Sequence, residues 1–375
     1  MPAQYCLVLP HFYYSPKILS YTFGPNHPLK PERLRRTIEL LERYGVSWID
    51  SGDGRVEDVL RVHAPEFVAA IQRLNADPNP DDWTDDELLE RAALGFSSGD
   101  NPAFAGMYDA ALAYAGASAK AAEAVRDGAH LAFGIGGGLH HAQRALASGF
   151  CIFNDCAIAC YILRERFERV AYVDIDVHHG DGVQWIFYED PSVLTCSIHE
   201  EGRTLYPGTG FVEETGASFS ALNVPVMART TGDVWLDAFQ RGILPGLEKF
   251  QPQAIVLQMG TDAHYLDPLG HIKCTAQEWL AAVSHVKDLG LPIVALGGGG
   301  YNLLNVPRMW TAACLTLGSV PFSNEVPADL AVAWGMPTYL DAEQPEPRGI
   351  GREYAEGVVD WLERNHHPHI GAVTR

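Results

Sequence analysis

A short stretch at residues 172–182, YVDIDVHHGDG, joins an apolar run to a high density of metal-binding side chains. Residues 170–173 are apolar and β-branched or aromatic, which predicts a strand buried on both faces. Asp174, Asp176 and His178 follow at steps of two, so an extended backbone would direct their side chains to one side. Carboxylates packed this closely repel each other unless a cation or hydrogen-bond donors neutralise them. A polar loop with capping aspartates is the simpler alternative, but the pattern favours a divalent metal site.

Apolar runs alternate with helical patterns along the chain, which predicts a mostly parallel sheet with helices on both faces. The expected strands are Tyr5–Pro10, Leu131–Ile135, Val170–Asp174, Val193–Ile198, Ala254–Gly260 and Pro292–Gly297. The expected helices are Pro31–Tyr44, Ala105–Arg126, Asp155–Arg166, Val234–Phe250 and Ala276–Asp288. In such sheets, binding sites lie beyond the carboxyl ends of the strands, and the polar clusters of this chain follow its predicted strands.

The amino-acid composition indicates which cellular compartment and which kinds of binding partner to expect. The 375-residue chain has 27 basic and 47 acidic residues, a formal net charge of −20. This acidity argues against binding to nucleic acid or anionic membrane and favours cationic partners, if it does more than keep the protein in solution. Seven cysteines without a CxxC pair lie mostly in apolar runs, as buried thiols of a reducing compartment would. Because we find no signal peptide and no membrane-length apolar segment, we expect a cytoplasmic protein.

Four polar groups follow different predicted strands and can converge on one site. They are Gly136–His141 (GGGLHH), Asp174–Asp181, Met259–Asp262 (MGTD) and Gly297–Tyr301 (GGGGY). Taken alone, the adjacent histidines suit acid–base chemistry, metal binding or merely a polar helix start. A single aspartate after a strand is most often a helix cap. Taken together, Asp176, His178 and Asp262 supply three ligands and leave a metal position open for water or substrate.

The remaining polar residues suit hydrolysis at such a metal. A metal ion acidifies a bound water, which removes the need for a serine or cysteine nucleophile. His140 and His141 require carboxylates to fix their tautomers, and Asp174 and Asp181 are the aspartates nearby. Tyr301 can donate to an oxygen that gains charge in the transition state. Together, these residues are the groups that metal-assisted amide hydrolysis requires.

The same residues resemble the zinc-dependent histone deacetylase family. The resemblance rests on GPNHPLKPERLRRT (24–37), GDNP (99–102), GGLHHA (137–142), SGFCIFND (148–155), VDIDVHHGDGV (173–183), YPGTG (206–210) and LGGGGY (296–301). These motifs run in the family's order from about residue 11 to about residue 320 and look most similar to the bacterial acetoin-utilisation-type deacetylases, which resemble the class I branch. The resemblance implies an arginase-like three-layer α/β fold with a mainly parallel eight-stranded sheet. We expect a single domain over residues 1–375, with a C-terminal helical or tail segment from about residue 321.

The resemblance also implies a role for each matched residue. The metal ligands match Asp176, His178 and Asp262. The catalytic residues match His140, His141, Asp174, Asp181 and Tyr301. In the family's pattern, His141 is the general base and then the general acid, and His140 is its electrostatic neighbour. Asp174 is the partner of His140 and Asp181 the partner of His141, while Tyr301 polarises the acyl carbonyl.

Further matches describe a substrate tunnel and two cation sites. The tunnel and its rim match Asp100, Gly149, Phe150, Tyr206, Leu269 and Gly299, and an internal channel for acetate matches Arg33. A monovalent-cation site, usually for K⁺, would use Asp174, Asp176, His178, Ser197 and Ile198, and a second, weaker one Phe187, Asp190, Val193 and Ser220. Tyr206 stands where class I relatives usually carry a phenylalanine, so its added hydroxyl would be available to a polar group near the tunnel mouth.

The implied activity is the metal-dependent removal of acetyl or short acyl groups from lysine side chains, with release of acetate. The metal would be Zn²⁺ or Fe²⁺, since a donor set of two aspartates and a histidine accepts either, and K⁺ would be structural. The partner would be an acyl-lysine protein or peptide, and the sequence leaves the oligomeric state open. Two alternatives stay open. One is hydrolysis of acetylpolyamines, against which the string GFCIFND (149–155) weighs; the other is a non-catalytic acyl-lysine reader, against which the filled catalytic positions weigh.

Overall fold

A computed structural model describes residues 9, 11–76, 78, 84–96, 99–342 and 347–371. The strands are β1 (Tyr13–Tyr14), β2 (Ile49–Asp50), β3 (Leu131–Gly134), β4 (Val170–Asp174), β5 (Val193–Glu200), β6 (Ala221–Val226), β7 (Ala254–Gln258) and β8 (Ile293–Leu296). The helices are α1 (Glu32–Arg43), α2 (Val56–Val59), α3 (Pro65–Ala76), α4 (Asp85–Ala93), α5 (Met107–Arg126), α6 (Asp155–Arg164), α7 (Asp181–Phe187), α8 (Gly232–Phe250), α9 (Ala276–Asp288), α10 (Asn305–Leu317), α11 (Ala328–Trp334) and α12 (Arg352–Asn365). Among the described helices, none is long and apolar enough to span a membrane.

Strands β3 to β8 form one parallel sheet, in the order β3-β8-β7-β4-β5-β6. Every residue of β4 to β8 is buried, as expected for parallel strands that helices cover on both faces. Most of their residues are apolar and many are β-branched, which suits this environment. Polar residues cluster beyond the carboxyl ends of the strands, although Thr195, Ser197, His199 and Asn223 are buried within β5 and β6.

The strand order places a crevice between β4 and β7. After β4 the chain continues into β5 on one side, and after β7 it continues into β8 on the other side. The segments that leave β4 and β7 therefore run apart, and ligands bind at such switch points of open parallel sheets. Asp174 and Gln258, the last residues of the two strands, are register partners at the floor of this crevice.

The predicted α/β class with a parallel sheet is confirmed, but its strand count differs. The described sheet has six strands rather than eight, because β1 and β2 pair with each other as a separate sheet. A single parallel bridge from Phe12 to Phe133 links the segment before β1 to β3. The predicted strand Tyr5–Pro10 lies, apart from Leu9, outside the described residues.

One strand of the sheet, β6, has no counterpart among the predicted strands. Its sequence ALNVPV contains Pro225, which cannot donate a ladder hydrogen bond. Because β6 is an edge strand, the missing N–H of Pro225 leaves no partner unsatisfied in the sheet. Segment 321–375, expected to be helical or a tail, contains α11 and α12, and α12 packs its buried Val359 and Leu362 toward α8 and β6.

Candidate metal centre and active site

Three side chains from the ends of β4 and β7 meet in the crevice. Asp176, His178 and Asp262 are all buried, and one ligand atom of each lies within 4.8 Å of the others. His178 Nδ1 lies 3.1 Å from Asp176 Oδ1 and 3.1 Å from Asp262 Oδ2. Burial and, after it, the adjacent carboxylate of Asp176 raise the pKa of Asp262 to about 7, and a cation at the cluster would offset both effects. The cluster can therefore hold a metal ion.

The backbone reaches this cluster by bending rather than by staying extended. The strand ends at Asp174, although the spacing of the acidic residues suggested an extended course through His178. Each carboxylate accepts the backbone N–H two residues further on: Asp174 Oδ1 from Asp176 at 3.0 Å, and Asp176 Oδ1 from His178 at 3.0 Å. Such aspartate turns compete with the strand ladder and bend the chain.

The glycine loop after β8 forms the other side of the cluster. The Gly299 N–H donates to Asp176 Oδ2 at 2.7 Å, and Gln258 Nε2 donates to the same oxygen at 2.8 Å. A Cβ atom on Gly299 would lie 2.1 Å from Asp262 Oδ2 and 2.7 Å from Asp176 Oδ2. The loop thus leaves a cradle beside two carboxylates that even a methyl group would fill, and this small, anionic space fits a bare divalent cation.

Two histidine–aspartate pairs stand next to the cluster. His140 Nδ1 lies 2.7 Å from Asp174 Oδ2, and His141 Nδ1 lies 2.7 Å from Asp181 Oδ1. The two Nε2 atoms are 3.0 Å apart, and His140 Nε2 is 3.9 Å from Asp176 Oδ2. The structure therefore brings each histidine to the aspartate with which the family pattern pairs it.

The two histidines differ in their electrostatic surroundings. Burial alone would lower the pKa of His140, but Asp174 and Asp176 outweigh it and raise that pKa to about 9. Burial and the neighbouring His140 and His178 hold the pKa of His141 well below its usual value. A charged His140 and a neutral His141 can thus coexist at pH 7, and only the neutral ring can accept a proton.

Tyr301 follows the glycine loop and closes the site. Its ring centroid lies 6.5 Å from that of His178 and 5.7 Å from that of Phe150. The Tyr301 N–H donates to Asp267 Oδ2 at 2.7 Å, which fixes the residue at the end of the loop. Burial raises the pKa of Tyr301 well above its usual value, so the phenol stays protonated and can donate a hydrogen bond.

Arg33, matched to the internal channel, lies behind the glycine loop. Its Nη1 donates to Gly298 O at 2.7 Å and to Gly300 O at 3.1 Å, and its guanidinium lies 5.1 Å from the Trp310 ring centroid. A cavity of about 30 Å³ is lined by Arg33, Trp310 and Leu139 among others. Arg33 thus supports the loop and lines a space that Leu139, the residue before the histidines, also lines.

A tight turn provides one wall of the expected tunnel. Ser148 and Cys151 exchange backbone hydrogen bonds, and Gly149 and Phe150 between them have φ values of 52° and 67°. A Cβ on Gly149 would lie 2.3 Å from His141 Cδ2, so only glycine lets the turn approach His141 this closely. The turn is therefore seated directly against the site.

Tyr206 and the remaining rim residues lie around the same opening. The Tyr206 ring centroid lies 5.0 Å from that of His141. Asp100 is exposed, and its charge helps to raise the pKa of Tyr206, a shift caused mainly by burial. Leu269 is half-buried, and its N–H donates to Asp267 Oδ1 at 3.0 Å, the carboxylate that also receives the Tyr301 N–H.

The residues of the two expected cation sites lie on or beside strands β4 to β6. In the first set, Asp174 and Ser197 are register partners on β4 and β5, while the Ser197 hydroxyl hydrogen-bonds with His199 Nδ1 at 2.8 Å and Ile198 is buried. In the second set, turns connect Phe187 to Asp190 and Asp190 to Val193. The Ser220 hydroxyl is buried and has no hydrogen-bond partner among the described residues, so its oxygen is available to a cation.

Several residues that support the site were absent from the sequence-based set. Gln258 fixes Asp176, Tyr172 donates to Asp174 Oδ2 at 2.6 Å, and Asp267 links Tyr301 to Leu269. Asp155 Oδ2 accepts from Gly138 N at 2.8 Å and holds the turn before the histidines. A glutamine inside the apolar run AIVLQMG was the one available signal. The others are defined by contacts across the fold rather than by local pattern.

A parallel α/β sheet with an Asp–His–Asp cluster that could hold a metal ion, flanked by two histidine–aspartate pairs, suits a hydrolase of the arginase-like fold class. Residues 27–317 match the histone deacetylase domain. The chain is 36% identical over 340 residues to the acetoin utilization protein AcuC of Bacillus subtilis (strain 168), which covers 86% of each chain. It is 34% identical over 337 residues to the histone deacetylase clr6 of Schizosaccharomyces pombe, which covers 88% of this chain and 81% of clr6. The protein belongs to the histone deacetylase family.

Family membership confirms the resemblance read from the motifs and the fold class expected with it. It also supports deacetylase activity in general, since both relatives match over more than four-fifths of their own length. The acylated substrate and the individual residue roles lie beyond these matches and are proposed below.

Proposed function

We propose that the protein is a zinc-dependent lysine deacylase, which hydrolyses acetyl or similarly short acyl groups from lysine side chains of proteins and releases acetate. The proximity of the metal-holding cluster to an acid–base residue and to a phenol supports this proposal. The His178 ring lies 5.9 Å from that of His141 and 6.5 Å from that of Tyr301. A reacting acyl group at the cluster would therefore face both.

The metal would be held by Asp176, His178 and Asp262. Bound there, Zn²⁺ or Fe²⁺ supplies an acidified water and polarises the acyl oxygen. The tunnel walls at Phe150 and Tyr206 would orient the lysine methylenes and exclude bulk water. The exclusion of water would strengthen the electrostatic interactions at the bottom of the tunnel.

The protein's own residues would move the proton. Asp181 holds Nδ1 of His141, so its Nε2 is the atom that accepts the proton from water and later delivers it to the lysine amine. His140, with its pKa raised to about 9, keeps a positive charge near the developing oxyanion. Tyr301 donates its hydroxyl proton in a hydrogen bond to the same oxyanion.

The role of Tyr301 is tested by Tyr301→Phe, assayed on an acetyl-lysine peptide. We expect kcat to fall by about 10²–10³-fold, because one preorganised donor is lost, while metal content and melting temperature stay unchanged. Tyr188→Phe is the matched control: at the end of α7, the Tyr188 ring packs at a tilt against Trp185, with 4.9 Å between ring centroids, and its substitution should be neutral. Near wild-type turnover in Tyr301→Phe would refute the assigned role.

Acetylpolyamine hydrolysis is the second candidate, and the net charge of −20 favours it because polyamines are cations. Comparing kcat/KM for acetyl-lysine peptides and acetylspermidine separates the two activities. A strong preference for acetylspermidine would replace protein lysine as the substrate class. A metal-replete preparation that binds acyl-lysine peptides but turns over none of these substrates would instead indicate a non-catalytic reader.

Two further features belong to the proposal. A structural K⁺ at the Asp174–Ser197 pair is supported by the buried carboxylate beside the crevice, and a second K⁺ by the unpartnered hydroxyl of Ser220. A reducing, cytoplasmic compartment is supported by the free, buried cysteines of the described chain, since nothing there pairs them.

A further inference from the structure

The hydroxyl that distinguishes Tyr206 from the usual phenylalanine already has a partner in the structure. Tyr206 OH and Ser148 Oγ form a hydrogen bond. The sequence suggested that this hydroxyl would be available to a polar group of a substrate. Instead, it joins two segments of the rim that are far apart in the chain.

Ser148 and Tyr206 lie on two different segments of the rim, and each segment is held by its own contacts. Ser148 opens the tight turn that carries Phe150, and the Phe150 N–H donates to Asn101 Oδ1 at 2.6 Å. Tyr206 is 39% exposed and is anchored by its ring against His141, at 5.0 Å between centroids. The hydroxyl bond therefore connects the Phe150 wall of the tunnel to the Tyr206 wall.

The Ser148 side of the bond is also held in place. The facing turn cannot retreat toward the site, because Gly149 already packs against His141. Both ends of the bond are thus held.

We propose that the Ser148–Tyr206 hydroxyl bridge fixes the width of the tunnel mouth and makes these two residues specificity determinants. A mouth of fixed width admits a slender acyl chain such as acetyl and holds back a broad one such as benzoyl, which must part the walls to enter. This inference rests on the proposed function, since it concerns which acyl-lysine side chains that site accepts.

A double-mutant cycle of Tyr206→Phe, Ser148→Ala and the double variant tests the bridge, with Tyr188→Phe as the control. The ratio of kcat/KM for a benzoyl-lysine peptide to that for the same acetyl-lysine peptide should rise about two- to tenfold in each single variant, the effect of losing one neutral hydrogen bond. The double variant should resemble either single variant, because both remove the same bond. Amide hydrogen exchange of residues 148–151 should become faster in all three and unchanged in the control.

Each other result would contradict the proposal. Unchanged exchange in both single variants would mean that the bond holds nothing in place. Faster exchange with an unchanged substrate ratio would mean that the bridge is structural and does not select substrates. If the wild type turns over no acyl-lysine peptide, the proposed function fails. The exchange data and the ratio of benzoyl- to acetyl-lysine peptide affinities would then still decide the role of the bridge.

Discussion

Gly299→Ala introduces the smallest possible side chain into the metal cradle. The new Cβ would lie 2.1 Å from Asp262 Oδ2, more than 1 Å inside the ordinary contact distance of about 3.4 Å. Asp262 cannot withdraw, since it is buried and its Oδ1 accepts the Val177 N–H at 2.8 Å. Gly299 does not adopt a left-handed conformation, so alanine suits its backbone and the effect should be confined to the site.

The expected loss of Zn²⁺ affinity follows from how little metal–ligand distances can vary. Ligand distances in metal sites hold within about 0.2 Å, so a displacement several times larger should lower Zn²⁺ affinity by about 100-fold or more. Overpacking should also cost about 1–3 kcal/mol in the free energy of unfolding of the metal-free protein. We therefore expect a folded variant with a marked loss of metal binding.

Competition titration with a chelator measures the Zn²⁺ affinity, and urea unfolding measures the stability. Gly357→Ala is the matched control, because no atom lies within 4 Å of its built Cβ and it sits inside α12. The control should keep its Zn²⁺ affinity and gain up to about 1 kcal/mol from helix propensity. A Zn²⁺ affinity of Gly299→Ala within threefold of the wild type would refute the reasoning about the cradle.

Three further predictions concern charge. Asp181→Asn should lower kcat by about 10²-fold or more with metal content unchanged, because His141 loses the carboxylate that orients it; undiminished kcat would exclude that role. Burial lowers the pKa of His63 to about 4, so between about pH 6.5 and pH 4 the unfolded chain binds a proton that the folded chain does not. The free energy of unfolding should therefore fall by about 3 kcal/mol as the pH drops through this window. His63→Gln should reduce that pH dependence, which urea unfolding at several pH values measures. Asp341→Ala should cost about 3–5 kcal/mol of unfolding free energy, because it removes the carboxylate that lies 2.6 Å from the charged group of buried Arg308 and leaves that charge only neutral partners; a loss under 1 kcal/mol would show that this pair does not secure the C-terminal segment.

The sequence predicted the parts of the fold and site that depend on local pattern. Apolar runs located β3, β4, β5, β7 and β8, and the spacing after β4 singled out Asp176 and His178. Asp262 was joined to them because both segments follow strands whose carboxyl ends share one edge. The strand predictions are confirmed because strand burial and strand direction depend on short stretches of sequence, and the structure brings the three side chains together, while their role as metal ligands stays a prediction.

The rest depends on contacts that no short stretch contains. Strand β6 was not predicted because it contains Pro225, and a proline is tolerated there only at the edge of the sheet. Gln258 and Asp267 support the site through neighbours on other loops. The bond between Ser148 and Tyr206 joins separate segments, so the hydroxyl of Tyr206 could be seen in the sequence but its partner could not.

The most direct test of the central claim is acetate release from an acetyl-lysine peptide as a function of added Zn²⁺, starting from metal-free protein. The three ligands of the cluster predict no turnover without metal, a rise in proportion to added Zn²⁺, and a plateau at about one equivalent per chain. Asp262→Asn should keep the fold and lose the one-equivalent plateau. Full turnover by rigorously metal-free protein, or acetate release that does not depend on Asp262, would contradict the account.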